Sequence, residues 1–292
     1  MRFRRRMLLV SLGLFALVAF SFGERRMPTG PDGWGGRSRS PGATTPRDKT
    51  SPLTVATFNI HGCKGTDGLR DVNRVAKCVD GLDIVGLNEV RGAIWTNPQD
   101  QVTHLAGLCG LPRVNRAFAP SETRWFGAQR FGNGLLARHP LLAWQRIPLP
   151  RRYDDSCRNM LLAYVDCPEG TVAVLITHIT RSEARERAIQ LETVLGLFAS
   201  LDRPAILLAD LNTPPDDPRM ERFLIESDAV DAIAEGGVAG NDRIDWILTR
   251  GLECLEAQRI DTGASDHPLF TARLAVSDDR ERGSGVRVHG EQ

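Results

Sequence analysis

Asp210 and Asn212 close the run A-I-L-L-A-D-L-N at residues 205–212. Side chains at i and i+2 of an extended segment share a face, so a carboxylate and an amide would leave the end of a buried strand together. A turn is the bland alternative, because Thr213-Pro214-Pro215-Asp216 follows and Asp and Asn are ordinary turn residues. The pattern recurs, however. Asn59 closes L-T-V-A-T-F-N, Glu89 ends D-I-V-G-L-N-E and His178 ends V-A-V-L-I-T-H; Asp245 lies in R-I-D-W-I-L, and Asp266 with His267 opens S-D-H-P-L-F-T-A. In an open α/β sheet, ligands sit beyond the carboxyl ends of the strands. Hard carboxylate oxygens gathered there suit Mg²⁺ or Mn²⁺. Histidines beside them supply general acid and base. Zinc is not indicated: the 6 cysteines contain no C-x-x-C and no Cys/His spacing of ligand type.

Strands and helices must carry these groups. Helical spacing covers residues 71–79 (Val72, Val75, Ala76, Val79), 101–108, 183–200 and 219–226. The third has Ala188, Leu191, Val194, Leu195 and Phe198 on one face. His104 reads as a surface residue, and His139, before Pro140, as structural. A strand from Phe131 is entered through a tight Gly132-Asn133-Gly134 turn, and two more flank a turn at residues 168–170. Residues 114–130 read as a variable loop. Residues 113–152 hold eight arginines against one acid, Glu122, with Trp125 and Phe126 among them. Such a stretch either grips phosphate and stacks on a base or sugar, or is a solvated arginine-rich surface.

Of 292 residues, 41% are hydrophobic and 25% charged, as in ordinary globular proteins. The formal charge of +1 is uneven. Residues 1–50 carry ten Lys/Arg against three Asp/Glu, whereas residues 51–275 carry 24 against 29. A mildly acidic body provides no broad field for nucleic acid. Arg2, Arg4, Arg5 and Arg6 precede an apolar run at residues 7–22, which reads as a signal peptide or N-terminal membrane anchor at 1–23. A Gly/Pro/Ser/Arg-rich disordered linker at 24–52, a catalytic body at 53–275 and a polar tail at 276–292 complete the domain organisation expected. The expected location is extracytoplasmic, secreted or membrane-anchored. Export would permit disulfides; buried free thiols are the alternative.

The pieces T-F-N-I, G-L-N-E-V, F-G-N-G-L-L-A-R, T-H-I, L-L-A-D-L-N, R-I-D-W-I-L and S-D-H-P-L-F, in this order across residues 54–270, resemble the endonuclease/exonuclease/phosphatase superfamily. Its members include DNase I, apurinic endonucleases, neutral sphingomyelinases and inositol polyphosphate 5-phosphatases. The resemblance implies an α/β fold, a four-layer sandwich with two packed mixed β-sheets. It implies Glu89 as the main Mg²⁺ or Mn²⁺ ligand, with Asn59 assisting and Asp266 as a further metal-side carboxylate. Asp210 would orient or deprotonate the attacking water, Asn212 would hold a phosphate oxygen, and His267, polarised by Asp245, would stabilise charge or transfer a proton. His178 would be the second histidine kept by some members, and Arg158 a phosphate-facing residue. The implied activity is phosphodiester hydrolysis by in-line displacement. The substrate would be nucleic acid or a lipid headgroup, the latter read as membrane-associated sphingomyelinase-type chemistry; a phosphate-binding pseudoenzyme is the non-catalytic alternative.

Overall fold

The computed structural model describes residues 52–276, apart from 125–128, 154–155 and 169, together with Leu12, Phe15 and Gly33–Gly35. In chain order the strands and helices are β1 (Gly33–Gly35), β2 (Leu53–Asn59), α1 (Val72–Val79), β3 (Ile84–Arg91), α2 (Gln101–Leu108), β4 (Arg116–Arg124), β5 (Gln129–Ala137), β6 (Leu141–Pro148), β7 (Asn159–Cys167), β8 (Gly170–His178), α3 (Ala184–Ser200), β9 (Ala205–Asp210), α4 (Pro218–Glu226), β10 (Val230–Asp231), α5 (Ala232–Glu235), β11 (Asp245–Arg250), β12 (Leu252–Ile260) and β13 (Leu269–Val276). The helices begin where acidic side chains satisfy free N–H groups. Asp71 accepts from Asn73 N, Asp100 from Thr103 N, Glu183 from Glu186 N, and Asp217 from Arg219 N ahead of Pro218.

Six strands form one sheet in the order β12-β13-β2-β3-β5-β4, and seven form the other, β1-β6-β7-β8-β9-β11-β10. Each sheet is mixed, because β2/β3 and β8/β9 are parallel while the remaining pairs are antiparallel. Val55, Ile84 and Leu135 of the first meet Leu161, Val174, Ile176 and Leu208 of the second in one apolar core. On the outer faces, α1 and α2 cover Phe58, Val85 and Leu87 with Val75, Val102 and Leu105. On the other side, α3 and α4 cover Leu175, Leu207 and Trp246 with Leu191, Val194, Phe198 and Met220. The result is the four-layer α/β/β/α sandwich expected. Register then places the chemistry: Asn59 lies opposite Asn88, His178 opposite Asp210, and Asp210 opposite Asp245.

Three readings of the sequence change. Within the expected loop at 114–130, residues 116–124 and 129–130 are β4 and the start of β5, paired antiparallel. Pro120 and the register shift between Pro120 and Glu122 break the alternation that would have signalled a strand, and pairing with β5 overrides local propensity. The expected Gly132-Asn133-Gly134 turn is instead the middle of β5. Within the expected linker, Gly33–Gly35 pairs with β6. Of the two cysteine alternatives, disulfides or free thiols, the structure has all six free, and burial pushes the Cys63 thiol up to about 12, so it stays protonated. No helix among the described residues is long and apolar enough to cross a membrane. The apolar run at 7–22, save Leu12 and Phe15, lies outside those residues, as do Trp125, Phe126 and the tail from 277.

Candidate active site

Three neighbouring strand ends of the seven-stranded sheet supply His178, Asp210 and Asp245, and the loop before β13 reaches across with His267. Asp210 is the point of convergence. Its Oδ2 accepts from Asn59 Nδ2 at 2.9 Å and lies 3.4 Å from His178 Nε2 and 3.8 Å from His267 Nε2. Its Oδ1 accepts from Asn212 N at 3.0 Å. Burial and the charge of Asp245 push Asp210 up to about 7, against the pull of His267 and the bonds from Asn59 and Asn212. A carboxylate that titrates near neutrality is suited to accept a proton at working pH.

His267 Nδ1 lies 2.8 Å from Asp245 Oδ2. Burial pulls the imidazole down, but the bond to Asp245 and the charges of Asp245, Asp210 and Asp266 raise it to about 9. His267 is therefore an imidazolium at neutral pH, aimed at Asp210. His178 behaves oppositely: burial, then the charges of Arg158 and His267, hold it well below the usual histidine range. One histidine is cationic and the other neutral, although both face the same carboxylate.

Glu89 occupies a β-bulge. The ladder between β3 and β5 skips from Leu87 to Val90, and Glu89 adopts φ 54°. A left-handed conformation in a residue with a side chain is strained, and it re-aims the carboxylate off the sheet surface. Glu89 Oε1 accepts from Asn59 Nδ2 at 3.3 Å and lies 4.0 Å from His178 Nδ1. Asn59 thus bridges Glu89 and Asp210 with its amide nitrogen, while its Oδ1 accepts from His61 N. Asn212, at φ 44°, donates from Nδ2 to Ile179 O at 3.0 Å. Asp266 is mostly exposed and meets His61 Nδ1 at 3.1 Å; His61 had no signal in the sequence reading.

Arg158 lines a cleft of about 150 Å³ with Glu89, His178, Phe131, Ser121 and Glu122. Several of the described arginines of residues 113–152 are engaged elsewhere. Arg116 donates to Thr103 Oγ1, Arg138 pairs with Asp80, and Arg146 is buried. Arg130, Arg151 and Arg152 are exposed, and the side chain of Arg124 lies outside the described residues. The segment after β6 that leads to Ser156, Cys157 and Arg158 of the cleft is held from α3. Glu186, fully buried, accepts from Arg152 N and Tyr153 N at 2.8 and 2.7 Å. Gln190, equally buried, donates to Pro150 O and accepts from Thr180 N. Sequence reading placed neither on the buried face, because polar residues interrupt an apolar stripe without revealing which partners they meet.

A model of the Endonuclease/Exonuclease/phosphatase family matches residues 56–267. A solved endonuclease/exonuclease/phosphatase from Beutenbergia cavernae is similar over 78% of this chain and 72% of its own, with 24% identity and a TM-score of 0.67. The catalytic domain of human Nocturnin, solved with a bound sulfate anion, is similar over 77% and 95%, at 17% identity and TM-score 0.58. The mannosyl-6-phosphatase of Bacteroides thetaiotaomicron is similar over 76% and 99%, at 15% and 0.56. At these identities the likeness is one of fold. No curated protein matches the sequence.

Proposed function

Because the chain belongs to the endonuclease/exonuclease/phosphatase family, whose members are phosphoester hydrolases, we propose that it is a divalent-metal-dependent phosphodiesterase acting outside the cytoplasm. The observation that carries this reading is the convergence on Asp210 of Asn59, His178 and the Asp245–His267 pair. Water held against Asp210 would attack phosphorus and give up its proton to that carboxylate, while the bond to the leaving oxygen breaks. The leaving oxygen would take the proton of the His267 imidazolium, so the products are a phosphate monoester and an alcohol. The His267 imidazolium would face the charge that grows on the phosphoryl oxygens. Arg158, across the cleft, would neutralise a non-bridging oxygen.

The residues fit a hard cation. Glu89 is half-exposed at the cleft. Asp210, Asp245 and His267 each offer a ligand atom, and these atoms lie within 4.8 Å of one another. Asp245 Oδ1 is buried with no hydrogen-bond partner, an arrangement that favours a positive neighbour. Glu89, with Asn59 bonded to it and Asp266 as a further carboxylate, would hold Mg²⁺ or Mn²⁺. Such an ion would supply Lewis-acid neutralisation of the phosphate. Glu89→Gln is then expected to raise the Mg²⁺ needed for half-maximal rate by about tenfold or more and to slow turnover. Wild-type rates at low Mg²⁺ would refute the assignment.

Hydrolysis of DNA, RNA, sphingomyelin, a phosphoinositide and bis-p-nitrophenyl phosphate, each with Mg²⁺ and with EDTA, tests the function and selects nucleic acid or lipid headgroup. Turnover of none of them, or equal turnover in EDTA, would overturn it. Export rests on the basic start and the apolar run at 7–22. An alkaline phosphatase reporter fused after residue 50 is expected to be active; a reporter active only in the cytoplasm, such as green fluorescent protein fluorescing there, would contradict it.

A further inference from the structure

Between the two sheets, four buried polar residues close a ring through their side chains and the carbonyls of Thr177 and Asn159. Asn88 Nδ2 donates to Asn133 Oδ1 at 2.8 Å and to Thr177 O at 2.9 Å. Asn133 Nδ2 donates to Asn159 Oδ1 at 2.8 Å and to Asn159 O at 3.0 Å. Thr177 Oγ1 donates to that same Asn159 carbonyl at 2.9 Å, which closes the circuit. Asn159 Nδ2 extends it to Pro120 O and Ala119 O on β4. All four residues are buried. The ring crosses from β3 and β5 in one sheet to β7 and β8 in the other.

Its position matters more than its existence. Asn88 immediately precedes Glu89, and Thr177 immediately precedes His178. Asn133 faces the bulge, since its neighbours Gly132 and Gly134 pair with Val90 and Leu87 on either side of it. Both glycines are required by close approach: a Cβ on Gly132 would meet Ala119 O at 2.1 Å, and one on Gly134 would meet Val102 Cγ2 at 2.4 Å. Apolar side chains would fill an inter-sheet layer without the desolvation that buried amides bring. What amides add is direction. Here the fixed directions run to the residues before Glu89 and His178, which belong to different sheets and come within 4.0 Å of each other.

We propose that Asn88, Asn133, Asn159 and Thr177 are positioning residues: their ring holds the bulge that gives Glu89 its left-handed backbone and sets Glu89 against His178. The proposal rests on the metal-dependent reading of the site. The G-N-G and L-N-E pieces, which lie within β5 and β3, thereby acquire a supporting role behind the site.

Direct Mn²⁺ binding, measured by calorimetry on the intact protein, gives a readout that does not require turnover. Asn88→Ala and Asn133→Ala are expected to weaken Mn²⁺ binding by about 10- to 100-fold, as loss of a ligand's supporting bonds does elsewhere. Asn88→Ala should also lower kcat with KM within about twofold, because Asn88, unlike Asn133, does not line the cleft. Thr177→Val keeps the shape and removes only the hydroxyl donor, so a smaller loss in the same direction is expected, restored by Thr177→Ser. This pair decides the matter if the alanine variants do not fold. Variants with lowered Tm but wild-type Mn²⁺ affinity and kcat would reduce the ring to packing and overturn the proposal. A wild type that binds Mn²⁺ yet hydrolyses no phosphoester would instead defeat the functional reading, while the metal affinities still judge the ring. A wild type that binds no Mn²⁺ would overturn both.

Discussion

Asp210→Asn is expected to lose about 10²- to 10⁴-fold in turnover without loss of stability. The first effect follows from removing the group that accepts the proton of the attacking water. The second follows from linkage. Burial and Asp245 raise Asp210 to about 7, whereas a free Asp ionises near 3.9. A carboxyl whose folded pKa is raised costs the fold stability as pH climbs from the unfolded value to the folded one, and the full deficit persists above it. Asparagine removes that deficit. Against it stands one lost acceptor, because Asn59 Nδ2 and Asn212 N now bond different oxygens of Asp210 and an amide offers only one oxygen. A single unsatisfied donor costs about 1–3 kcal/mol, and relief of the raised carboxylate acts in the opposite direction. At pH 8 in EDTA, Tm should therefore stay close to that of wild type. An inactive variant with a clearly lower Tm would mean that Asp210 holds the site together and that its loss says nothing about proton transfer.

Asp245→Asn should act through its partner. With the carboxylate gone, burial is the strongest influence left on His267, and its pKa should fall from about 9 to the ordinary histidine value near 6.5 or below. At pH 8 the imidazolium fraction then drops about 30-fold by titration alone. The alkaline limb of the kcat profile should move down by about two pH units, toward the acid limb that Asp210, titrating at about 7, sets, so the profile narrows and its optimum shifts to lower pH. His267→Ala should lose the full acid contribution, about 10²- to 10⁴-fold, with no recovery at any pH. If Asp245→Asn keeps its alkaline limb near pH 9, the pair does not control the protonation of His267. If His267→Ala turns over normally from pH 5 to 9, its place beside Asp210 is structural.

Strand ends that carry ionisable side chains could be read from the sequence. An apolar run can be buried on both faces, so an ionisable residue that closes it marks the edge of the sheet; this is why Asp210, His178 and Glu89 were legible without coordinates. Helices with apolar stripes were legible for the same reason, and α2 falls at Gln101–Leu108 as spacing predicts. Tertiary structure decided everything that depends on a partner remote in the chain. β4 is a strand because β5 pairs with it, and Pro120 conceals that locally. Whether Asn59 turns its oxygen or its nitrogen toward Glu89 depends on Asp210, 151 residues away. The two histidines have the same intrinsic chemistry, yet His267 is raised by Asp245 and His178 is lowered by burial. Residue type sets an ionisable group's starting value, but the low-dielectric surroundings and neighbouring charges that set its working value exist only once the sheets have packed. The buried polar residues behind the site, Asn88, Asn133, Glu186 and Gln190, were hidden for a related reason. A polar side chain in a helix or strand reads as solvent-facing until the fold supplies the backbone groups that satisfy it.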